Sequence, residues 1–101
     1  MMSDRFIRQP FMGHKALFDC GNLLLSDDDS RLPQGLLQAL LKRHTTGDWG
    51  DIPCDFCQTN QYALEFGCSL LSCFFHPGKG IRLVVIRTTA DRTLTTIQVH
   101  L

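Results

Sequence analysis

Residues 68–101 have the sequence CSLLSCFFHPGKGIRLVVIRTTADRTLTTIQVHL, and their pattern decides the fold class. Three apolar stretches, CSLLSCFF, IRLVVIRT and TLTTIQVHL, are separated by the turn sequences HPGKG and TADR. Short strands joined by short turns pair in antiparallel order. The last stretch alternates apolar Ile97 and Val99 with polar Gln98 and His100. We therefore predict a three-stranded antiparallel meander with one packed face and one face in water.

The residues before the meander predict one strand and two helices. Residues 17–25, LFDCGNLLL, are typical of a strand, with Gly21 at a bulge or a point of close packing. Leucines at helical spacing, with His44 on the same stripe, predict a helix from about Pro33 to His44. A second helix is predicted over residues 55–66. The predicted fold is α+β, a two-layer domain of order β-α-α-β-β-β in which two helices cover the sheet.

Length and composition limit the function classes. The 101 residues predict a single domain, 1–101, in which residues 1–15 form a partly ordered N-terminal arm. Ten Lys and Arg residues balance ten Asp and Glu residues, which argues against a DNA-binding protein and against an acidic DNA mimic. Five cysteines and an N-terminus without an apolar run predict a cytoplasmic protein with free thiols.

Residues 44–51, HTTGDWGD, are either a structural connection between the two helices or a functional site. In the structural interpretation, which we favour, Gly47 ends the first helix and Asp48 accepts hydrogen bonds from turn amides. Trp49 fills the space between helices and sheet, and Asp51 caps the second helical segment. The alternative is a small hydrolytic or metal-dependent enzyme that uses His44, Asp48 and Asp51. The residues given a structural role are His44, Gly47, Asp48, Trp49, Gly50 and Asp51, with Asp91 and Arg92 in the last turn.

The cysteines raise the question of a metal or redox site. Cys54 and Cys57 have a spacing suited to zinc, with Cys68, Cys73 and His76 as further ligands. The spacing of the second pair does not suit zinc, and no strand precedes CDFC as a thioredoxin-like site requires. We predict no metal, no cofactor and no catalytic residue. The interpretation of each histidine is a surface or capping residue, with His44 facing the dipole of its helix.

Charged residues suggest where a partner would bind. Asp27, Asp28 and Asp29 form a solvated acidic loop or a partner-binding patch, and Arg82 and Arg92 are further candidates. A nucleic-acid interface would use Lys79, Arg82, Arg87 and Arg92. It is the least favoured hypothesis, because Arg82 and Arg87 have opposite parity on one strand and project from opposite faces unless a bulge intervenes.

The combination of GDWGD at 47–51 and ADRTLTT at 90–96 resembles a family of small bacterial mobile-element proteins with GDWGD and ADRSxTT motifs. Members carry labels such as "plasmid-related protein" or "type I restriction endonuclease subunit M". The resemblance covers roughly residues 18–97. It implies no activity, and a chain of 101 residues cannot contain a methyltransferase domain.

The resemblance implies a setting on plasmids, integrated elements and prophages, where small proteins often blunt host defences such as CRISPR or restriction. We therefore predict a non-enzymatic accessory protein that binds another protein, as a monomer or small homo-oligomer. Neither a membrane nor a nucleic acid is the predicted partner. The exposed sheet face, the acidic loop or an unpaired outer strand would supply the interface.

Overall fold

The computed structural model describes residues 5–8, 16–25, 32–78 and 80–101. In chain order its elements are β1 (Arg5–Arg8), β2 (Asn22–Leu25), α1 (Gln34–Thr45), α2 (Cys54–Phe66), β3 (Leu70–Gly78), β4 (Ile81–Thr88) and β5 (Leu94–His100). From β2 onward this is the predicted β-α-α-β-β-β order, and the α+β class is confirmed. Strand β1 lies within the segment 1–15, for which the sequence predicted no strand.

The strands form one sheet of order β1-β2-β5-β4-β3. The antiparallel pairs β3–β4 and β4–β5 are the predicted meander. Strand β2 lies parallel to β5, and β1 is antiparallel to β2. These two pairings involve segments that no short-range pattern brings together, so local sequence patterns did not indicate them.

The strand registers separate the sheet into two faces. The inner face is buried and consists of Leu23 and Leu25 on β2, Leu70, Ser72 and Phe74 on β3, Val84, Ile86 and Thr88 on β4, and Thr95, Ile97 and Val99 on β5. The outer face consists of Leu24 on β2, Leu71, Cys73 and Phe75 on β3, Leu83, Val85 and Arg87 on β4, and Thr96, Gln98 and His100 on β5. Each outer-face side chain is half-buried or exposed, so the prediction of one packed face is confirmed.

Both helices pack on the inner face. Helix α1 contributes three buried leucines, Leu37, Leu40 and Leu41, to the cluster that holds Phe74 and the strand residues around it. Helix α2 packs Ala63 in a second cluster with Trp49 and Leu70. Gly67 ends α2 in the left-handed region with φ of 74°, as its position in the sequence predicts. Among the described residues, no helix has the length and apolar character needed to cross a membrane.

A bulge at the end of the β3–β4 hairpin changes the direction of Arg82. The register between the two strands shifts between Phe75 and Gly78, and His76 has φ of 49° within this irregular stretch. Arg82 lines a concavity of about 250 Å³ together with Phe75, His76 and Leu83. The bulge that would bring Arg82 toward the outer-face residues is therefore present.

Gly21 sits where β2 meets the β4–β5 turn. Its φ is 66°, and a Cβ atom placed there would overlap the carbonyl oxygen of Thr93. The next residue, Asn22, donates its backbone N–H to the same oxygen at 2.9 Å. The predicted close packing at Gly21 is confirmed, and it holds β2 against the hairpin.

Substitution of Gly21 by Ala should lower the free energy of unfolding by roughly 2–4 kcal/mol, since it combines a left-handed backbone with a clash against a backbone atom. The matched control is Gly35→Ala in the first turn of α1, where a Cβ meets no atom within 4 Å. That change should raise stability by about 0.5–1 kcal/mol. Urea unfolding followed by Trp49 fluorescence measures both. Equal effects of the two substitutions would contradict the packing described for Gly21.

Candidate functional site

The free edge of β3 is occupied by the segment that contains the GDWGD motif. Cys73 donates its backbone N–H to the carbonyl of Trp49 at 3.1 Å, and Asp51 donates its N–H to the carbonyl of Cys73 at 2.7 Å. Gly50 thereby forms a parallel bridge with Cys73. The Asp51 carboxylate then accepts the backbone N–H of Phe75 at 2.8 Å. Residues 49–51 therefore act as a short substitute for a neighbouring strand.

Asn60 continues this closure along the same edge. Its side-chain Nδ2 donates to the carbonyl of Leu71 at 2.7 Å, and its Oδ1 accepts the N–H of Leu71 at 3.1 Å. Asn60 is only 2% exposed, so its side of both bonds is buried. Backbone groups of Leu71, Cys73 and Phe75 are thus paired without a strand. The suggestion that the outer strand offers an unpaired edge to a partner is wrong for this part of β3.

Gly50 is required for this approach. Its φ is 77°, and a Cβ atom would overlap the carbonyl oxygen of Cys73 and lie 2.6 Å from the ring of Phe74. Only a residue without a side chain allows the two backbones to come this close. The second glycine of GDWGD therefore has a geometric role in the bridge.

The two aspartates of the motif have different roles. Asp48 accepts the Gly50 N–H at 3.2 Å, which confirms the predicted turn cap, and it forms an ion pair with Arg43 at 2.7 Å. The hydrogen bond from Arg43 lowers the pKa of Asp48 below its usual value. The prediction that Asp51 caps the second helical segment is wrong, because α2 starts after Pro53 with no side-chain cap and Asp51 binds Phe75.

His44 lies at the centre of a buried polar chain. Its Nδ1 is 2.5 Å from Ser72 Oγ, and its Nε2 is 2.9 Å from Thr88 Oγ1. Thr88 Oγ1 is 2.7 Å from Thr95 Oγ1, which donates to the carbonyl of Cys20 at 2.8 Å. His44 and the three hydroxyl-bearing residues are fully buried. This series of hydrogen bonds crosses the inner face of the sheet from β3 through β4 to β5.

The direction of the hydrogen bonds follows from the last link. Since Thr95 donates to Cys20, its oxygen accepts from Thr88, and Thr88 in turn accepts from His44. His44 therefore carries its proton on Nε2, and Ser72 donates to Nδ1. This arrangement satisfies each of the buried side-chain groups with a neutral imidazole.

The surroundings of His44 favour the neutral ring. Phe18 and Trp49 contact it edge to face, with centroid distances of 5.1 and 5.7 Å. Burial lowers the pKa of His44 to about 3, and the charge of Arg92 contributes to the lowering. The prediction of a surface or capping histidine is wrong for His44. Its position on the leucine stripe of α1 was the sequence signal for burial.

The three residues of the enzyme hypothesis are not brought together. The His44 nitrogens bind Ser72 and Thr88, whereas Asp48 pairs with Arg43 and Asp51 with the backbone of β3. A serine that donates to a histidine is the pairing used by hydrolytic nucleophiles, but here both side chains have no exposed surface. Among the residues that the structure describes, no group of three or more His, Cys, Asp or Glu could hold a metal ion.

The ADRTLTT motif builds the β4–β5 turn. Asp91 Oδ1 accepts hydrogen bonds from the Thr89 hydroxyl at 2.8 Å and from the Thr93 hydroxyl and N–H at 2.7 and 3.0 Å. Because these donors stabilise the carboxylate, the pKa of Asp91 falls to about 2. The motif is thus a turn of defined geometry that leads into the buried Thr95.

Arg92 ties this turn to the end of α2. It has φ of 62°, and its guanidinium donates to the carbonyls of Cys68 at 2.5 Å, Thr89 at 3.0 Å and Ala63 at 3.0 Å. It also lies over the Phe18 ring, 5.6 Å from its centroid. Nη1 and Nη2 of Arg92 both donate within the protein, so a partner contact at these atoms would compete with these bonds.

Other predicted partner residues have different placements. Asp27, Asp28 and Asp29, as well as Lys79, lie outside the described residues. Arg82 is exposed beside the bulge, and Arg87 is exposed on the outer face. Sequence reasoning did not single out the outer-face residues Leu71, Phe75 and Val85, although the alternation along the strands carries that signal.

Comparison of the chain with protein-family models, with curated proteins and with solved structures found no match.

Replacement of Asn60 by Ala should lower the free energy of unfolding by roughly 2–4 kcal/mol, because two buried backbone groups of Leu71 lose their partners. Gln61→Ala, on the exposed side of the same turn, is the matched control and should change stability by less than about 0.5 kcal/mol. Chemical denaturation of both variants gives the difference. A loss of comparable size in Gln61→Ala would show that helix α2, and not the closed edge, determines the effect.

The stability of the protein should fall as the pH drops from about 6.5 toward 3. His44 has a lower pKa folded than unfolded, so the unfolded chain binds the extra proton throughout this range. The free energy of unfolding should fall by up to ~1.4 kcal/mol per pH unit. This loss occurs at higher pH than the loss from Asp91, whose pKa is about 2. Urea unfolding at a series of pH values between 7.5 and 4.5 measures this slope.

His44→Gln should remove this slope, whereas His100→Gln on the outer face should retain it. A slope that persists unchanged in His44→Gln would assign the pH dependence to another group.

Proposed function

We propose that the protein is a small non-enzymatic accessory protein of a mobile genetic element that acts by binding another protein. Inhibition of a host defence system, such as CRISPR or restriction, is the activity that we assign to that binding. The genetic setting rests on the resemblance of the GDWGD and ADRTLTT motifs. The binding surface rests on the outer face of the sheet, which both helices leave uncovered.

The outer face has the composition of a protein-binding surface. Leu71, Cys73, Leu83 and Val85 are half-buried neighbours on β3 and β4, and Phe75 is 56% exposed. Contiguous apolar surface of this kind on a soluble domain is commonly used for protein contacts. This apolar sheet face, which both helices leave uncovered, is the observation that carries the proposal.

The two sequence motifs support the proposal indirectly. The carboxylates of Asp48, Asp51 and Asp91 and the guanidinium of Arg92 take part in internal hydrogen bonds. Their chemistry is used to hold the fold, which leaves recognition to side chains elsewhere. The strands that form the outer face are held by packing at the inner face and by hydrogen bonds at the β3 edge.

Val85→Asp should abolish partner binding, because it places a charge in the middle row of the outer face between Cys73 and Gln98. Tagged protein would be incubated with host lysate, and captured proteins identified by mass spectrometry. We expect at least about a tenfold loss of the captured partner. Gln38→Asp, which adds the same charge on the exposed side of α1, is the control and should retain capture.

Survival of phage or plasmid in the host is the second readout and should follow the capture. If the unsubstituted protein recovers no partner and changes neither phage nor plasmid survival, the proposed function is wrong. If Val85→Asp retains the partner as well as Gln38→Asp does, the partner binds outside the outer face.

A further inference from the structure

The outer face combines an apolar centre with cations at both ends. Its middle row joins Cys73, Val85 and Gln98 across β3, β4 and β5. At one end, Arg87 lies between Leu71 and Thr96 and is exposed. The surface therefore has a charged group beside apolar neighbours.

The other end of the outer face is also basic. Its row joins Phe75, Leu83 and His100, and Arg82 borders it at the bulge. Strands β2 to β5 contain Arg82, Arg87, His76 and His100 but no Asp or Glu. The Asp51 carboxylate at the β3 edge accepts the N–H of Phe75 and is held there. The charged side chains on these strands are therefore of one sign, while the exposed Asp51 carboxylate borders Cys73 at the β3 edge.

The closed edge of β3 restricts the manner of binding. The partners at Leu71, Cys73 and Phe75 are Asn60 and residues 49–51, so a foreign strand has no free edge at these positions. A partner that binds at these positions must instead lie on the surface of the outer face. An amphipathic helix buries an apolar stripe on such a surface without needing backbone hydrogen bonds from it.

We propose that the outer face binds an amphipathic helix of a partner protein that carries acidic residues at both ends of an apolar stripe. This inference rests on the proposed function and specifies its partner. Arg87 and Leu83 are four residues apart on β4, which is roughly 13 Å along a strand. A helix that lies along the strands spans this distance in ~9 residues, so its carboxylates would be about 9 to 11 residues apart.

The concavity at the bulge supplies an anchor point for this helix. It has a volume of about 250 Å³ and is lined by Phe75, His76, Arg82 and Leu83. One apolar partner side chain would pack on Phe75 and Leu83 while a neighbouring carboxylate pairs with Arg82. A second copy of this chain fits less well, because two outer faces would oppose cations of the same sign.

Two fluorescent peptides of about 14 residues, roughly four turns, test the proposal. They share the same leucine stripe and carry either Glu or Lys at both ends, and fluorescence anisotropy gives their affinity for the full chain. The Glu peptide should bind at least about tenfold more tightly than the Lys peptide. Arg87→Glu should abolish this preference, because Arg82 remains at the other end, whereas Lys42→Glu, an equal charge change on the exposed side of α1, should preserve it.

Each other outcome overturns the inference. Equal affinity for both peptides, or binding of neither, would remove the acidic helix as the partner, while lysate capture lost in Val85→Asp would still uphold protein binding by the outer face. If a fluorescent single-stranded oligonucleotide binds more tightly than the Glu peptide, the cations of the outer face bind a nucleic acid and not an acidic helix. A dimer that dissociates in Val85→Asp, seen by sedimentation, would make a second copy the occupant.

Discussion

Closure of the free edge of β3 is the constraint on which the rest of the structure depends. An edge strand exposes backbone donors and acceptors that attract further strands, and proteins must cover or disrupt them. Here Asn60 and residues 49–51 supply the missing partners of Leu71, Cys73 and Phe75. The same bonds fix the path between α1 and α2. Trp49 is thereby placed 5% exposed against the second hydrophobic cluster.

The polar chain through His44 is the second device that fixes the arrangement. Buried hydroxyls and an imidazole are costly unless each finds a partner, and a fully paired network specifies one packing of its elements. This network joins α1 to β3 and β4, and through Thr95 to the chain before β2. Both sequence motifs contribute to this network. Trp49 of GDWGD contacts the His44 imidazole, and Thr95 of ADRTLTT is the last hydroxyl in the series of hydrogen bonds. The outer face, which both helices leave uncovered, is the surface that we propose for recognition.

The local parts of this structure could be predicted from the sequence. The meander, both helices, the stop at Gly67 and the turn cap by Asp48 depend on neighbours within a few residues, and each was predicted. The parallel pairing of β2 with β5 and the presence of strand β1 were not predicted, because no short-range pattern indicates these pairings. The partner of Asp51 was also missed, since Phe75 is 24 residues away in the sequence and no local pattern indicates this contact.

The sequence by itself determined the α+β class, the order of elements and which residues alternate between buried and exposed, because periodicity and turn chemistry act locally. The place of His44 on the leucine stripe was a signal of burial, but His44 was predicted to be a surface or capping residue. Only the tertiary structure decided what those residues do. In the structure, His44 lies at the centre of a buried series of hydrogen bonds, and Asp51 caps the β3 edge. Arg82 lines the concavity at the outer face. The first two outcomes depend on contacts between residues that are far apart in the sequence, and the third depends on the bulge in the β3–β4 hairpin.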